Sequence, residues 1–166
     1  MTAAEVLAHI DPIRHEFADP RSLVLPALKF AQTRDGYLCE ENLAAVAEAT
    51  GYSRAYVESV ASFYDRLYLT PTGDRVISVC VTLSCMLRGS DEVMAALAEH
   101  LGVGPHGGTS ADGRITLQEA QCLGACDKGA CIQVDAENTV GPLTPSEAVA
   151  LADELRDAPI PAERWR

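Results

Sequence analysis

The sequence predicts an α/β protein: a small helical bundle over residues 1–70, a strand-and-helix domain over 75–156, and a short tail, 157–166. Three observations carry that expectation. Apolar residues recur at helical spacing as far as Tyr64. A turn signal, Pro71-Thr72-Gly73-Asp74, follows. Beyond it the pattern changes to short β-branched runs punctuated by cysteines.

Taken in order, Val6, Ile10 and Ile13 mark a first helical segment that ends near Asp19-Pro20. A second runs from Leu23 to Thr33, with Pro26 tolerated in its first turn and Gly36 interrupting after it. Glu40 to Thr50 carries Leu43, Val46 and Ala47 on one face and stops at Gly51. Ser53 caps a fourth segment bearing Tyr56, Val57, Val60, Phe63 and Tyr64.

Arg75 to Val81 is short and β-branched, and reads as a strand running into Cys80. Ser90 is placed to cap the next helix, where Asp91 and Glu92 suit the dipole and Val93, Met94, Leu97 and Leu101 form the buried face. A Gly-rich loop leads to a strand over Arg114 to Leu117, a third over Cys131 to Asp135, and a fourth over Asn138 to Leu143. Pro145 to Arg156 closes the domain as a helix with Ala148, Val149, Ala152 and Leu155 inward. Without the fourth strand, the order β, α, β, β, α describes a thioredoxin-like sandwich, which sets both cysteine-bearing loops at one end of the sheet. The tail holds Pro159, Pro161 and the single tryptophan, Trp165, and is expected to leave the domain.

The chain of 166 residues is 48% hydrophobic, enough for a real core without disulfide staples. Met1-Thr2-Ala3-Ala4-Glu5 lacks the basic start and apolar run of a signal peptide, so the six cysteines are read in a reducing, cytoplasmic compartment. Neither Ser22 to Leu28 nor Val76 to Leu87 is long enough to span a membrane. Net charge is -11 and the few arginines are scattered, Arg14, Arg34, Arg54, Arg75 and Arg114 among them, which argues against nucleic-acid binding.

The chemistry lies in two cysteine pairs, Cys80-x4-Cys85 and Cys122-x3-Cys126. Each pair can chelate locally, so folding has only to bring two loops together. Spacing alone leaves four readings open: a 2Fe-2S cluster, a structural zinc, a redox dithiol, or four ordinary buried cysteines. The flanks favour the cluster. Gly89, Gly124 and Ala125 leave backbone N–H groups free to approach sulfur, while Leu83, Met86, Leu87 and Leu123 are expected to shield the site from water. Two ferric ions, two sulfides and four thiolates sum to a charge of about −2, and Arg88 is the nearby cation able to offset the further charge of reduction.

The string Cys80-x4-Cys85-Met86-Leu87-Arg88-Gly89-Ser90, with Cys122-Leu123-Gly124-Ala125-Cys126-Asp127-Lys128, resembles the thioredoxin-like 2Fe-2S (24 kDa) family of NADH:quinone oxidoreductase, respiratory complex I. Upstream, Gly36-Tyr37-Leu38, Ala47-Glu48-Ala49-Thr50-Gly51, Val57-x2-Val60-Ala61-Ser62-Phe63-Tyr64 and Pro71-x-Gly73 are similar to the same family. The resemblance implies that Cys80, Cys85, Cys122 and Cys126 ligate a 2Fe-2S cluster. It also implies a flavoprotein partner holding FMN and the NADH site, further iron-sulfur subunits, and a place on the cytoplasmic face of the membrane through that complex. No catalytic residue is expected in this chain. The diaphorase subunits of NAD-linked hydrogenases and formate dehydrogenases share the pattern and form the alternative; a zinc-stabilised interaction domain is the alternative of another class. Gly129-Ala130-Cys131 departs from the family, which commonly has Ala-Pro and a small apolar residue there, and Cys131 is expected to be a small buried strand residue.

Other features carry less. Gly102-x-Gly104-x-x-Gly107 matches a dinucleotide fingerprint but follows a helix and contains Pro105, so it reads as a flexible surface loop. His9, His15, His100 and His106 are dispersed, and Cys39 stands alone near a helix start.

Overall fold

The structure is a computed structural model describing residues 1–160, and the chain divides into one unit over Met1–Pro71 and a second beginning at Thr72. Trp165 and the rest of 161–166 lie outside the described residues.

In the first unit, Thr2 starts helix α1 (Ala3–Ile10) with a reciprocal capping box to Glu5 that the apolar spacing alone does not reveal. Two 3-10 turns follow: Arg14–Glu16, inside the first predicted helical segment, and Pro20–Leu23, set by Asp19 and Pro20 where that segment is predicted to end. Helices α2 (Val24–Asp35), α3 (Glu40–Thr50) and α4 (Arg54–Phe63) complete the bundle. Gly51 stops α3 at φ 75°, and the Ser53 hydroxyl accepts the Tyr56 N–H to start α4. Val6, Ile10, Val24, Leu28, Val46 and Val57 are wholly buried between these helices. Phe63, at the end of α4, is 77% exposed, and of this helix only Val57 and Ala61 are buried.

The second unit is a five-stranded sheet in the order β2-β3-β1-β4-β5. Strand β1 (Arg75–Cys80) is buried along its whole length, as a central strand must be. A short helix α5 (Leu83–Met86) and then α6 (Ser90–Leu101) carry the chain to β2 (Gly107–Thr109) and β3 (Ile115–Ala120). β3 pairs parallel to β1; β4 (Ile132–Val134) pairs antiparallel to β1 on its other side, and β5 (Asn138–Val140) lies at the edge. Helix α7 (Pro145–Asp157) packs beside α6, so that Ile77 and Val79 are covered by Val93, Leu97, Ala148 and Ala152.

Three expectations are corrected. The loop over Gly102–Gly107 gives way to a strand at its last glycine: Gly107–Thr109 pairs with β3, and the close approach demands glycine, since a Cβ on Gly107 would collide with the Leu117 carbonyl. The unit therefore has one more strand than predicted. The cap of α6 is Gly89, at φ 90°, while Ser90 is the first helical residue and wholly buried. Finally, the chain after α7 is tied back to the domain at Pro159, whose carbonyl accepts from Arg75 Nη2 at 2.6 Å.

Candidate metal centre

Sheet topology assembles the cysteines. Cys80 ends β1, Cys122 follows the C-terminal end of the parallel neighbour β3, and Cys131 precedes the antiparallel β4, so all three segments reach the same sheet end. The Cys80 N–H donates to the Cys131 carbonyl at 3.1 Å, extending the β1–β4 ladder to that point. Cys85 returns on α5, one turn after Thr82.

Cys80, Cys85 and Cys131 form a buried group, each 1% exposed, with all three sulfurs within 4.8 Å of one another. Cys85 Sγ and Cys131 Sγ are 3.8 Å apart. Of the four predicted ligands, the structure therefore brings Cys80 and Cys85 together; Cys122 and Cys126 are exposed and lie outside this group. Leu123 and Ala125, inside the second cysteine loop, nevertheless pack against the group of three buried cysteines. Gly124 between them sits at φ 73° with open space around its Cα.

Hydrogen bonds order the sulfurs electrically. Burial opposes ionisation of Cys80, but the Thr82 hydroxyl at 3.2 Å, the Thr82 and Leu123 N–H groups and the Cys85 side chain outweigh it and bring the thiol down to about 7. Burial, and then the neighbouring Cys80, push Cys85 up. Burial also pushes Cys131 up to about 12. Arg88 bridges the two cysteine segments, its Nη1 donating to the carbonyls of Asp127 at 3.1 Å and Gly129 at 3.4 Å.

The buried cysteine group and its surroundings are consistent with an iron-sulfur cluster: sulfur donors drawn together, backbone N–H groups beside Cys80, and Arg88 bridging the cysteine segments. One expectation fails. Leu83, Met86 and Leu87 do not shield the site, being 69%, 45% and 79% exposed; of the four named apolar residues, Leu123 alone packs against the buried cysteines. Cys131, by contrast, is the buried residue expected, and its sulfur joins the site. The signal that finds it is register: a cysteine directly preceding a strand antiparallel to β1 falls opposite Cys80. The peptide joining Gly129 to Ala130 is cis. The remaining candidates lie elsewhere. Cys39 is the half-buried residue before α3, His9 stacks on Phe30, and His100 and His106 meet Asp153 and Glu119 at 2.7 and 2.8 Å.

The model of the family described as thioredoxin-like 2Fe-2S ferredoxin matches residues 10–156. The chain is 36% identical over 156 residues to the E subunit of NADH-quinone oxidoreductase from Salmonella typhimurium, covering 94% of this chain and 92% of that one. It is 38% identical over 156 residues to the protein of the same name from Mycobacterium tuberculosis, covering 92% of this chain and 61% of the relative. Among solved structures, an NAD+-reducing NiFe-hydrogenase in its H2-reduced state aligns with a TM-score of 0.70 at 20% identity, over 86% of this chain. The chain spans only 24% of that hydrogenase chain, and the likeness concerns the fold.

Proposed function

The chain belongs to the thioredoxin-like 2Fe-2S ferredoxin family, and we propose that its cysteines Cys80, Cys85, Cys122 and Cys126 hold the one 2Fe-2S cluster of an electron-transfer subunit. The observation that carries the ligand assignment is the contact between the loops. Leu123 and Ala125 pack on the buried cysteines and the Leu123 N–H meets Cys80, which supports reading the flanking Cys122 and Cys126 as the two further ligands.

When bound, the cluster supplies a one-electron couple. The chain's own residues set its environment. The Thr82 hydroxyl and N–H and the Leu123 N–H donate to Cys80, which favours the thiolate and offsets added negative charge. Burial of Cys80 and Cys85 excludes water from one side of the site. Arg88 holds the Cys126 segment against α5 and brings a positive charge close, a needed counterweight in a chain of net charge -11.

A one-electron carrier is useful beside a two-electron donor, and the partner read here is a flavoprotein subunit with FMN and the NADH site. No bond-making step falls to this chain. The respiratory NADH:quinone oxidoreductase reading is supported over the hydrogenase module by higher identity and by a relative of nearly the same length. No helix among the described residues is long and apolar enough to cross a membrane, so contact with one would run through the complex.

Anaerobic purification tests the reading. Iron and sulfide in equal amounts, a visible chromophore and an EPR signal after dithionite are expected. A colourless chain with one zinc would overturn it, and a nickel-iron or molybdenum subunit in the purified complex would displace the respiratory assignment.

A further inference from the structure

We infer that Cys80, Cys85 and Cys131 form a second, single-ion site, which takes one thiophilic divalent cation when no cluster is present. The site shares Cys80 and Cys85 with the cluster reading but needs neither Cys122 nor Cys126.

The geometry is that of a metal site already drawn together. Metal–sulfur bonds of about 2.3 Å in a tetrahedron place two sulfurs about 3.8 Å apart. Cys85 Sγ and Cys131 Sγ are 3.8 Å apart, and Cys80 Sγ is within 4.8 Å of both, a small side-chain adjustment away. The three sulfurs come from three separate elements: the end of β1, helix α5, and the residue before β4. The backbone bond from Cys80 N–H to the Cys131 carbonyl fixes two of them across the ladder. Such support holds donors in place before a metal arrives.

The surroundings select the ion. Sulfur-only donors that are 1% exposed, under Leu123 and Ala125, suit zinc, cobalt or ferrous ion and offer no carboxylate or carbonyl set for calcium or magnesium. As three metal–thiolate bonds form, whatever protons the three thiols still carry pass to solvent, and a water completes the fourth position. The complex carries one net negative charge, with Arg88 on the adjoining Gly129 carbonyl. Burial also separates the two sets. The three sulfurs are sequestered together while Cys122 and Cys126 stay exposed, so an ion can settle on the buried set first.

The experiment uses the full chain carrying Cys122→Ala and Cys126→Ala, titrated anaerobically with Co2+. One equivalent is expected to bind, with tetrahedral d–d bands and the sulfur-to-cobalt absorption of three thiolates. Adding Cys131→Ala is expected to lower that absorption by roughly a third and to weaken binding by about tenfold or more, since losing even a supporting group costs that much. If Cys131→Ala disturbs folding, X-ray absorption on the zinc-loaded double variant replaces it: three sulfurs support the site. Two sulfurs, an unchanged cobalt spectrum on adding Cys131→Ala, or no Co2+ bound by the double variant would overturn it. Iron and sulfide content of the unsubstituted chain judges the cluster separately, so either reading can fail alone.

Discussion

Arg75 and Asp135 form a buried ion pair, Nη1 to Oδ2 at 2.7 Å, with side chains 9% and 6% exposed. The second carboxylate oxygen accepts the Val76 N–H at 2.9 Å, and Arg75 Nη2 reaches the Pro159 carbonyl. One pair thus ties the start of β1 to the turn after β4 and to the chain beyond α7.

Asp135→Asn isolates the charge. Asp135 sits at φ 49°, where asparagine is at home, so the backbone is not strained by the change. Arg75 would remain buried without its counter-charge, a loss of about 3–5 kcal/mol. Urea denaturation of the cluster-free chain measures it, and a midpoint equal to wild type would contradict this account.

The ligands should differ in what they do to the fold. Cys122 and Cys126 are exposed, so Cys122→Ser and Cys126→Ser are expected to change stability by no more than about 0.5 kcal/mol while abolishing the EPR signal. Cys85→Ser places a hydroxyl among buried apolar groups and should cost about 1–3 kcal/mol as well as the cluster. Full iron and sulfide in the Cys122 or Cys126 variant would remove that residue from the ligand set.

What was legible in the sequence is what local chemistry decides. Glu40–Thr50 and its stop at Gly51 follow from spacing and a left-handed cap, both contained in a dozen residues. The two cysteine pairs were legible because each is its own short loop. What the sequence hid depends on distant partners. Gly107–Thr109 has no β-branched residue before its terminal threonine and becomes a strand only against β3. Cys131 meets Cys85 across 46 residues because Val79 pairs with Ile132. Arg75 looked like one more scattered cation until Asp135 came to it, and Leu83 and Leu87 looked like shielding because apolar character alone does not say which way a short helix faces.

Gly141 lies behind the cysteine site. A Cβ there would collide with the Lys128 carbonyl oxygen and come within 2.9 Å of the Ala130 carbonyl oxygen and Cys131 Cβ. Two of these are backbone atoms and cannot swing aside, so Gly141→Ala should cost about 1–3 kcal/mol and lower cluster occupancy. Gly124→Ala is the control: it meets nothing within 4 Å and strains only its own φ of 73°, for about 1–2 kcal/mol. Equal cluster content in wild type and Gly141→Ala would show that the segment yields.

Acid sensitivity has a local source at the start of α7. The Thr144 hydroxyl, and then its N–H, hold the Glu147 carboxyl below the ordinary carboxylate range. A depressed folded-state pKa adds stability above the unfolded value, and that stability is lost as pH falls through the folded one. Thr144→Ala should cost about 1 kcal/mol at neutral pH. Glu147→Gln should be less stable than wild type at neutral pH, with the gap closing below about pH 4.3. Urea midpoints across that range check the sign, and a gap independent of pH would assign the effect to shape instead of charge.

The exposed apolar rim gives the partner surface of the proposed subunit its test. Leu83, Met86 and Leu87 fall within one short stretch around buried Cys85, and all three are substantially exposed. Single exposed leucines are ordinary, but three apolar side chains beside the proposed cluster site are the patch a partner would be expected to cover. Covering a leucine side chain is worth about 1.5–3 kcal/mol, and an aspartate there also places a charge in the contact. Leu87→Asp should therefore keep stability within about 0.5 kcal/mol and retain the dithionite-reduced EPR signal. Co-expressed with its flavoprotein partner, the variant should fail to co-elute on size exclusion and lose reduction by NADH. Ile160→Asp, at a residue 49% exposed, serves as the control and should co-elute normally. A Leu87→Asp chain that co-elutes in wild-type proportion and is still reduced by NADH would move the docking surface away from the cysteine end of the sheet.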